Sequence, residues 1–251
     1  YLVRSRGLGD VYKRQVYGYS LLIYFNFSGY THLVTGIALL LGYRLPVNFD
    51  APYAAHNLKE FWSRWHISLS TFIRDYVYIP LGGNRHGAWL ATLNMFLAML
   101  ASGLWHGASA NFLIWGALHG VGLALYKAFT WLLPQPLRWP GAGLLARLLT
   151  FHFVALAWIF FRSSSLDGAV DMFVGLGGLS LDRLFSGTGA LLLACVAALA
   201  IYPQALVLMR SGFAASNRLP WQFYPLPLAL FLALVIFAAP SGVPGFIYAG
   251  F

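Results

Sequence analysis

The chain has 251 residues, of which 59% are hydrophobic, 17% aromatic and only 9% charged. Because an ordinary soluble domain carries roughly 25% charged residues, this composition excludes a soluble globular protein and predicts a surface that lies largely in lipid. Lys and Arg outnumber Asp and Glu by sixteen to seven. A nucleic-acid partner would need a basic patch on a soluble face, so we expect these charges in the loops of a membrane protein instead.

The first fifteen residues, YLVRSRGLGDVYKRQ, differ from the rest of the sequence. They are basic and lack the apolar core of a signal peptide. They resemble a translated sequencing adapter, so we interpret 1–15 as a non-native segment and expect the authentic chain to begin at Val16, in mid-protein. The other end, SGVPGFIYAGF, has no polar tail, and we expect truncation there too. Residues 16–251 contain no repeat or linker and are predicted to form a single domain.

Six apolar segments follow one another along the chain, most of them near the ~20 residues that a spanning helix needs. They are about 16–43, 88–104, 110–133, 148–161, 188–209 and 223–239. The fourth is short and is expected either to borrow Leu144 and Leu145 or to tilt less. Apolar runs of this length exclude barrel strands, so the predicted fold class is all-α, a polytopic transmembrane helical protein.

The basic residues are divided unequally between the two sides of these spans. With residues 1–15 left out, alternate threading places ten of the basic residues on one side and only Arg162 and Arg183 on the other. By the positive-inside rule, the basic-rich side is predicted to face the cytoplasm. That side includes the interval 44–87.

The interval 44–87 is the longest polar stretch, yet it is rich in aromatic residues. Four of them recur at helical spacings: Phe61, Trp62, Trp65 and Phe72. This pattern is typical of an amphipathic helix in the membrane interface, and an aromatic belt that anchors a loop is the alternative. We expect an element that is partly buried in the membrane, rather than a solvated loop, to be formed by Arg64, Trp65, His66, Arg74 and Asp75. Arg74 and Asp75 are neighbours in sequence, so we expect each to pair elsewhere.

Histidines, rather than carboxylates, occupy the costly positions inside the apolar segments. The stretch SGLWHGASANFLIWGALHG places His106 in a tight connection, 105–109, and His119 ~13 Å farther along a helix, near the bilayer middle. A buried neutral imidazole can take a proton from a hydroxyl and later return it. These residues leave open whether His119 is catalytic, binds a ligand or simply hydrogen-bonds a neighbouring helix. Their spacing does not favour a metal site.

Three long motifs occur in order: NFSGYTHLVTGIALLLGYRLPVNFDAPY, EFWSRWHISLSTFIRDYVYIPLGGNR and GLWHGASANFLIWGALHG. Together they resemble the membrane-bound O-acyltransferases (MBOAT), in particular the bacterial branch with the alginate O-acetyltransferase membrane subunit and the teichoic-acid D-alanyl transfer protein. The resemblance covers about residues 24–125, and a weaker stretch extends it over 151–169. It implies a helical scaffold around a tunnel in which an activated acyl group meets a hydroxyl. The family's N-terminal spans are missing, so we expect an N-terminally truncated fragment.

The resemblance also implies roles for individual residues. The family's catalytic histidine, which closes the third motif, falls on His119, the expected general base. The WHG histidine falls on His106, expected to be a second catalytic, supporting group. The expected substrate-binding set is Arg64, Trp65, His66, Arg74, Asp75 and Trp105. The family's first motif commonly has Asp where this chain has Asn26 and His32.

The predicted function is the transfer of an acetyl-type acyl group to hydroxyls of a cell-envelope polysaccharide, in the bacterial inner membrane. No bound cofactor or metal is expected, and an acyl donor such as acetyl-CoA would be a co-substrate. The expected partners are the acceptor polysaccharide, membrane lipids and an extracytoplasmic acyltransferase. The alternatives from other classes are a transporter or flippase with His119 on its path, and a structural scaffold of an envelope complex.

Overall fold

The structure is a computed structural model that describes residues 2–133, 140–176, 187–216, 218, 220–223 and 225–238. Within these ranges the regular elements are helical. The α-helices are α1 (Leu2–Leu40), α2 (Leu58–Trp62), α3 (Ile67–Ile73), α4 (Gly87–His106), α5 (Ala110–Leu132), α6 (Ala142–Arg162), α7 (Leu166–Leu176), α8 (Gly187–Ser216) and α9 (Pro225–Ala238). A π-helical turn, Arg74–Tyr78, continues α3.

Among the described residues, four helices are long and apolar enough to cross a membrane. They are α4, α5, α6 and the Leu193–Ala215 part of α8. They match four of the six apolar segments marked in the sequence, and α6 begins at Ala142, so the expected extension of the short fourth segment through Leu144 and Leu145 is confirmed. The predicted fold class, an all-α polytopic membrane protein, is confirmed.

The two outer segments differ from the prediction. The 16–43 segment lies in α1, which is helical as far as Leu40 but is not among the candidate spans. Polar residues such as Asn26, Ser28 and His32 lower its mean hydropathy. The 223–239 segment corresponds to α9, which has only 14 residues. Residues 2–15, interpreted above as foreign, form the first turns of α1, and their origin stays a prediction.

Helices α4 and α5 form an antiparallel pair joined by residues 107–109. The expected connection, 105–109, is shorter in the structure because α4 extends through His106. Ser109 begins α5 by accepting a hydrogen bond from the Phe112 amide at 3.4 Å. A Cβ on Gly116 would lie 2.5 Å from the Met99 carbonyl oxygen, so the two backbones approach as closely as glycine allows.

The interval 44–86 does not form the predicted single amphipathic helix in the membrane interface. It is an extended strand-like stretch followed by short helices, and its middle enters the helix bundle. Residues from Leu58 to His66 meet progressively more distant levels of the bundle: Leu58 approaches Gly122, Phe61 stacks on His119, and His66 meets Trp105. We call residues 57–73, which contain α2, α3 and the turn between them, the inserted segment.

An aromatic core fixes the inserted segment in place. Trp65 is 2% exposed and packs against Trp158 of α6 at a ring distance of 5.1 Å. Trp158 stacks on Trp115 of α5 at 5.7 Å. The inserted segment is therefore held by spanning helices rather than by water or by the membrane interface. Of its aromatic residues, Phe61 and Trp65 are almost completely buried, whereas Phe72 is half exposed.

Candidate active site

The turn between α2 and α3 carries His66 in an unusual backbone conformation. His66 has φ 43° and ψ 54°, in the left-handed region that a residue with a Cβ seldom occupies. Two main-chain hydrogen bonds to the extended stretch hold the turn: the Asp50 amide donates to the Arg64 carbonyl, and the Ile67 amide donates to the Asn48 carbonyl, both at 3.0 Å. Strain of this kind concentrates at functional sites.

The imidazole of His66 is buried and bonded on one side only. Its Nδ1 lies 3.2 Å from Oδ1 of Asn48, while its Nε2 is buried without a partner. Burial lowers the pKa of His66 to about 4, because the charged form loses its hydration. The ring is therefore neutral at physiological pH.

His106 ends α4 beside His66, with Trp105 between them. The Trp105 ring lies 5.8 Å from His66 and 4.9 Å from His106. The two imidazoles are near enough to interact electrostatically. His106 is only partly buried, and 54% of Trp105 is exposed. The structure thus brings together three residues of the predicted site at one accessible place.

His119 is placed differently. It is completely buried in α5, and its Nδ1 lies 3.2 Å from the indole nitrogen of Trp62. An indole N–H can only donate, so Nδ1 of His119 accepts this hydrogen bond and the other nitrogen carries the proton. The basic lone pair of His119 is therefore occupied in this arrangement. Its predicted role as the general base stays a prediction.

A cavity of about 670 Å³ runs between the inserted segment, α4 and α5. Its walls combine apolar side chains with hydroxyl, amide and cationic groups. They are Lys59, Trp62, Ser70, Ile73, Arg74, Tyr78, Asn84, Ala91, Met95, Ala98, Met99, Ser102, Leu123, Tyr126, Lys127 and Thr130. A volume of this size suits a ligand larger than a few atoms.

Helical spacing shows where the cavity leads. On α4 the lining residues end at Ser102, and His106 is four residues farther on the same face. On α3 they begin at Ser70, and His66 is four residues earlier. Both histidines therefore lie one helical turn beyond the inner end of the cavity. His119 has the same relation to Leu123, but Trp62 stands between its ring and the cavity.

The outer end of the cavity is basic. Lys59, Arg74 and Lys127 line it, near the start of α4, where the Lys127 ammonium donates to the Ala88 carbonyl at 3.2 Å. Lys59 and Lys127 were not among the site residues predicted from the sequence. The sequence feature that pointed to them was the excess of basic residues on one side of the spans, which served only to predict the orientation of the protein in the membrane.

The expectation that Arg74 and Asp75 pair with other residues is wrong. Their side chains pair with each other, with Nε of Arg74 donating to Oδ1 of Asp75 at 2.7 Å. The π-helical turn that begins at Arg74 replaces the regular helical spacing on which the expectation rested. The hydrogen bond from Arg74 lowers the pKa of Asp75.

Arg64 is engaged away from the histidines. Its guanidinium donates to Oε1 of Glu60 at 2.8 Å and to the Asp50 carbonyl at 3.2 Å. Burial raises the pKa of Glu60, but hydrogen bonds from the His56 amide and from Arg64 outweigh it, so the net pKa is lowered. Arg64 therefore links the inserted segment to the residues before it in the chain, at Asp50. Within the described part of the chain, no cluster of three metal-ligating side chains is present.

Two residues of the site were missed by the sequence analysis although they lie inside its motifs. Asn48 is in the PVNFDAPY part of the first motif, and Trp62 is in EFWSRWH. Asn48 bonds His66 and Trp62 bonds His119. Only the tertiary pairing of distant segments reveals these contacts.

Taken together, the helices and the buried histidines define a polytopic membrane protein with a chamber of mixed polar and apolar walls between its spans. The sequence profile of the membrane-bound O-acyltransferase family, MBOAT, matches residues 11–142, just over half of the chain. The chain belongs to the membrane-bound O-acyltransferase family. All three histidines discussed above fall within the matched residues.

Three curated relatives show the range of proteins to which the chain is similar. It is 44% identical to the peptidoglycan O-acetyltransferase of Helicobacter pylori over 169 residues, which is 66% of this chain and 32% of the relative. It is 43% identical to the probable alginate O-acetylase AlgI of Pseudomonas aeruginosa over 159 residues, 62% of this chain and 29% of the relative.

The third relative is more distant. The chain is 33% identical to the teichoic acid D-alanyltransferase of Bacillus subtilis over 165 residues, 58% of this chain and 40% of the relative. The chain thus spans about a third of the length of the curated relatives it matches.

Proposed function

We propose that this chain carries the reaction site of an enzyme that transfers an acetyl-type acyl group to hydroxyls of a cell-envelope polysaccharide. The observation that carries the proposal is the cavity of about 670 Å³ that leads from a basic end to within one helical turn of His66 and His106. Membership of the family supports the reaction class. The names of the relatives, which refer to peptidoglycan, alginate and teichoic acid, support a polymeric acceptor.

The cavity has the chemistry of a donor site. Lys59, Arg74 and Lys127 suit the phosphates of a carrier such as coenzyme A, since cations bind phosphate through charge-assisted hydrogen bonds. Met95 and Met99 farther in suit the uncharged acyl arm. A donor such as acetyl-CoA is then a co-substrate that reaches the histidines with its acyl end first.

His106 is the general base in this proposal. It is partly exposed beside the inner end of the cavity, whereas the lone pair of His119 is occupied by Trp62. His106 takes the proton of the acceptor hydroxyl as its oxygen attacks the acyl carbon. The new C–O bond forms, the C–S bond of a thioester donor breaks, and the thiolate receives the proton from His106. The ester and the free thiol leave, and His106 is neutral again.

The position of the site suits a transfer across the bacterial inner membrane. The cavity begins on the basic-rich side, which the positive-inside rule assigns to the cytoplasm. His66 and His106 lie toward the other side of the membrane, where α4 ends and α5 begins. An acyl group carried through would emerge on the outer face, where an extracytoplasmic acyltransferase could receive it or the polymer could meet it directly.

A vesicle assay tests this function. The complete protein is reconstituted, radiolabelled acetyl-CoA is added on the basic-rich side, and deacetylated alginate or peptidoglycan on the other. Ester-linked label in the polymer is the expected result, and hydroxylamine should release it. Labelled acetyl-CoA crossing intact would indicate a transporter, and label that stays with the donor in the presence of every polymer would indicate a scaffold. Either result overturns the proposal.

A further inference from the structure

The side-chain oxygen of Asn48 accepts hydrogen bonds from the Ser68 amide at 3.1 Å and from the Ser68 hydroxyl at 2.9 Å. Nδ1 of His66 lies 3.2 Å from the same oxygen and 3.4 Å from the Ser68 hydroxyl. A main-chain N–H can only donate, so the Asn48 atom that faces Ser68 must be the oxygen rather than the amide nitrogen. It follows that Nδ1 of His66 carries a proton when the ring is neutral.

The other nitrogen of His66 is then a proton acceptor without a partner. Nε2 is buried and makes no hydrogen bond in the structure. The ring cannot turn freely, because Phe27 of α1 packs at 4.7 Å and the main chain on both sides is bonded to residues 48–50. A buried, oriented and unsatisfied lone pair is costly and calls for an external donor.

We propose that Asn48 is a positioning residue, which holds His66 so that its Nε2 accepts a hydrogen bond from a hydroxyl of the acceptor beside His106. The inference rests on the proposed function and assigns His66 to the acceptor rather than to the acyl carbonyl. A carbonyl needs an N–H, and the N–H of His66 is turned toward Asn48. Asn48 thus decides which of the two substrates His66 recognises.

Two variants of Asn48 separate positioning from mere structural support. Asn48→Leu removes the acceptor while it keeps the number and branching of the side-chain heavy atoms, and we expect a fall in kcat of about tenfold to a hundredfold, as for other partners that orient histidines. Asn48→Asp keeps an oxygen in place and adds a negative charge, which favours the protonated ring. We therefore expect the acid limb of its pH–rate profile to move to higher pH.

The groups around His66 allow this shift to be interpreted. The titratable side chain that faces it within the described residues is His106 of α4; α1 presents Phe27, and the extended stretch presents Asn48. Asn94→Leu is the matched control. Asn94 is buried and, like Asn48, bonds a distant segment, donating to the Gly83 carbonyl at 3.2 Å, so its loss costs packing without touching His66.

Nitrogen-15 NMR of histidine-labelled protein in nanodiscs reports the tautomer directly, with His66→Gln used to assign the signal. We expect protonated Nδ1 in the wild type and in Asn94→Leu, and a tautomer mixture in Asn48→Leu. An unchanged tautomer in Asn48→Leu, or an unmoved acid limb in Asn48→Asp, would overturn the inference. Those results leave acyl transfer by the wild type intact, whereas a wild type that transfers no acyl group would contradict the proposed function instead.

Discussion

Histidine side chains cluster in two regions of this molecule, and the two regions differ in the exposure of the imidazole rings and in the hydrogen bonds that the ring nitrogens make. In the middle of α5, His119 is completely enclosed and its basic nitrogen accepts a hydrogen bond from Trp62. At the end of α4, His106 is partly exposed, and Nε2 of the neighbouring His66 has no partner. Burial alone therefore does not distinguish a reacting histidine from a structural one; access to the ring from the cavity is needed as well.

Three helices that line the cavity each lead to one of these histidines. The faces of α4, α3 and α5 that line the cavity continue to His106, His66 and His119, respectively. Trp62 covers only the third. In the proposed function, the inserted segment therefore decides through Trp62 that His106 of α4, rather than His119 of α5, meets the substrate.

Replacing His106 should have the largest effect. His106→Ala removes the proposed base, and because positioned general-base catalysis is worth about a hundredfold to ten-thousandfold, acyl transfer should fall by that order while membrane insertion is unaffected. The measurement is the single-turnover rate of label transfer to polymer. The matched control is His152→Ala, since His152 hydrogen-bonds the Leu148 carbonyl one turn away on its own helix. A near-normal rate in His106→Ala would return His119 to the role of base.

A methyl group between α4 and α5 should have the next largest effect. A Cβ on Gly103 would run into the Phe112 carbonyl, which moves only with the backbone of α5. We expect Gly103→Ala to destabilise the protein by about 1–3 kcal/mol, the usual cost of overpacking, measured as a lower midpoint of thermal unfolding in detergent. Gly36→Ala in α1 is the control, because nothing lies within 4 Å of its Cβ. Equal midpoints would show that the helix pair can separate without cost.

Breaking the bond between Trp62 and His119 should have the smallest effect. Trp62→Phe removes one buried hydrogen bond, worth about 0.5–1.5 kcal/mol net, so the acyl-transfer rate should fall by about tenfold or less. His119→Ala should behave alike if His119 acts only by holding Trp62 at the cavity wall. A loss in His119→Ala as large as that in His106→Ala, with Trp62→Phe close to wild type, would contradict the distinction between the two regions.

Much of the helical frame could be predicted from the sequence. The apolar runs of α4, α5, α6 and α8 are long enough to identify spans by length and hydropathy alone. The inserted segment could not be predicted in this way. Its aromatic spacing does fit a helix, but Phe61 and Trp65 are buried against α5 and α6, and hydropathy cannot distinguish burial in protein from burial in the interface.

The site was predictable in its members but not in its arrangement. The motifs contained His66, Trp105 and His106, which the structure brings together. The sequence could not show that Trp62 occupies the lone pair of His119, since 57 residues separate the two. Asn48 was missed for the same reason, because an amide in an extended stretch has no periodic signal and acts only through a tertiary hydrogen bond.

The three-residue connection between α4 and α5 has a consequence for biogenesis. Contacts between helices joined by so short a link close a small loop, so they can form as soon as both helices have left the ribosome. His106 and His119 therefore acquire their relative positions early, as one hairpin entering the bilayer. His66 reaches the bundle from the preceding segment, and the Trp158 that secures its neighbour Trp65 is synthesised later. The chamber is thus completed only when α6 arrives, and an arrested chain that ends before α6 would hold the hairpin without a finished site.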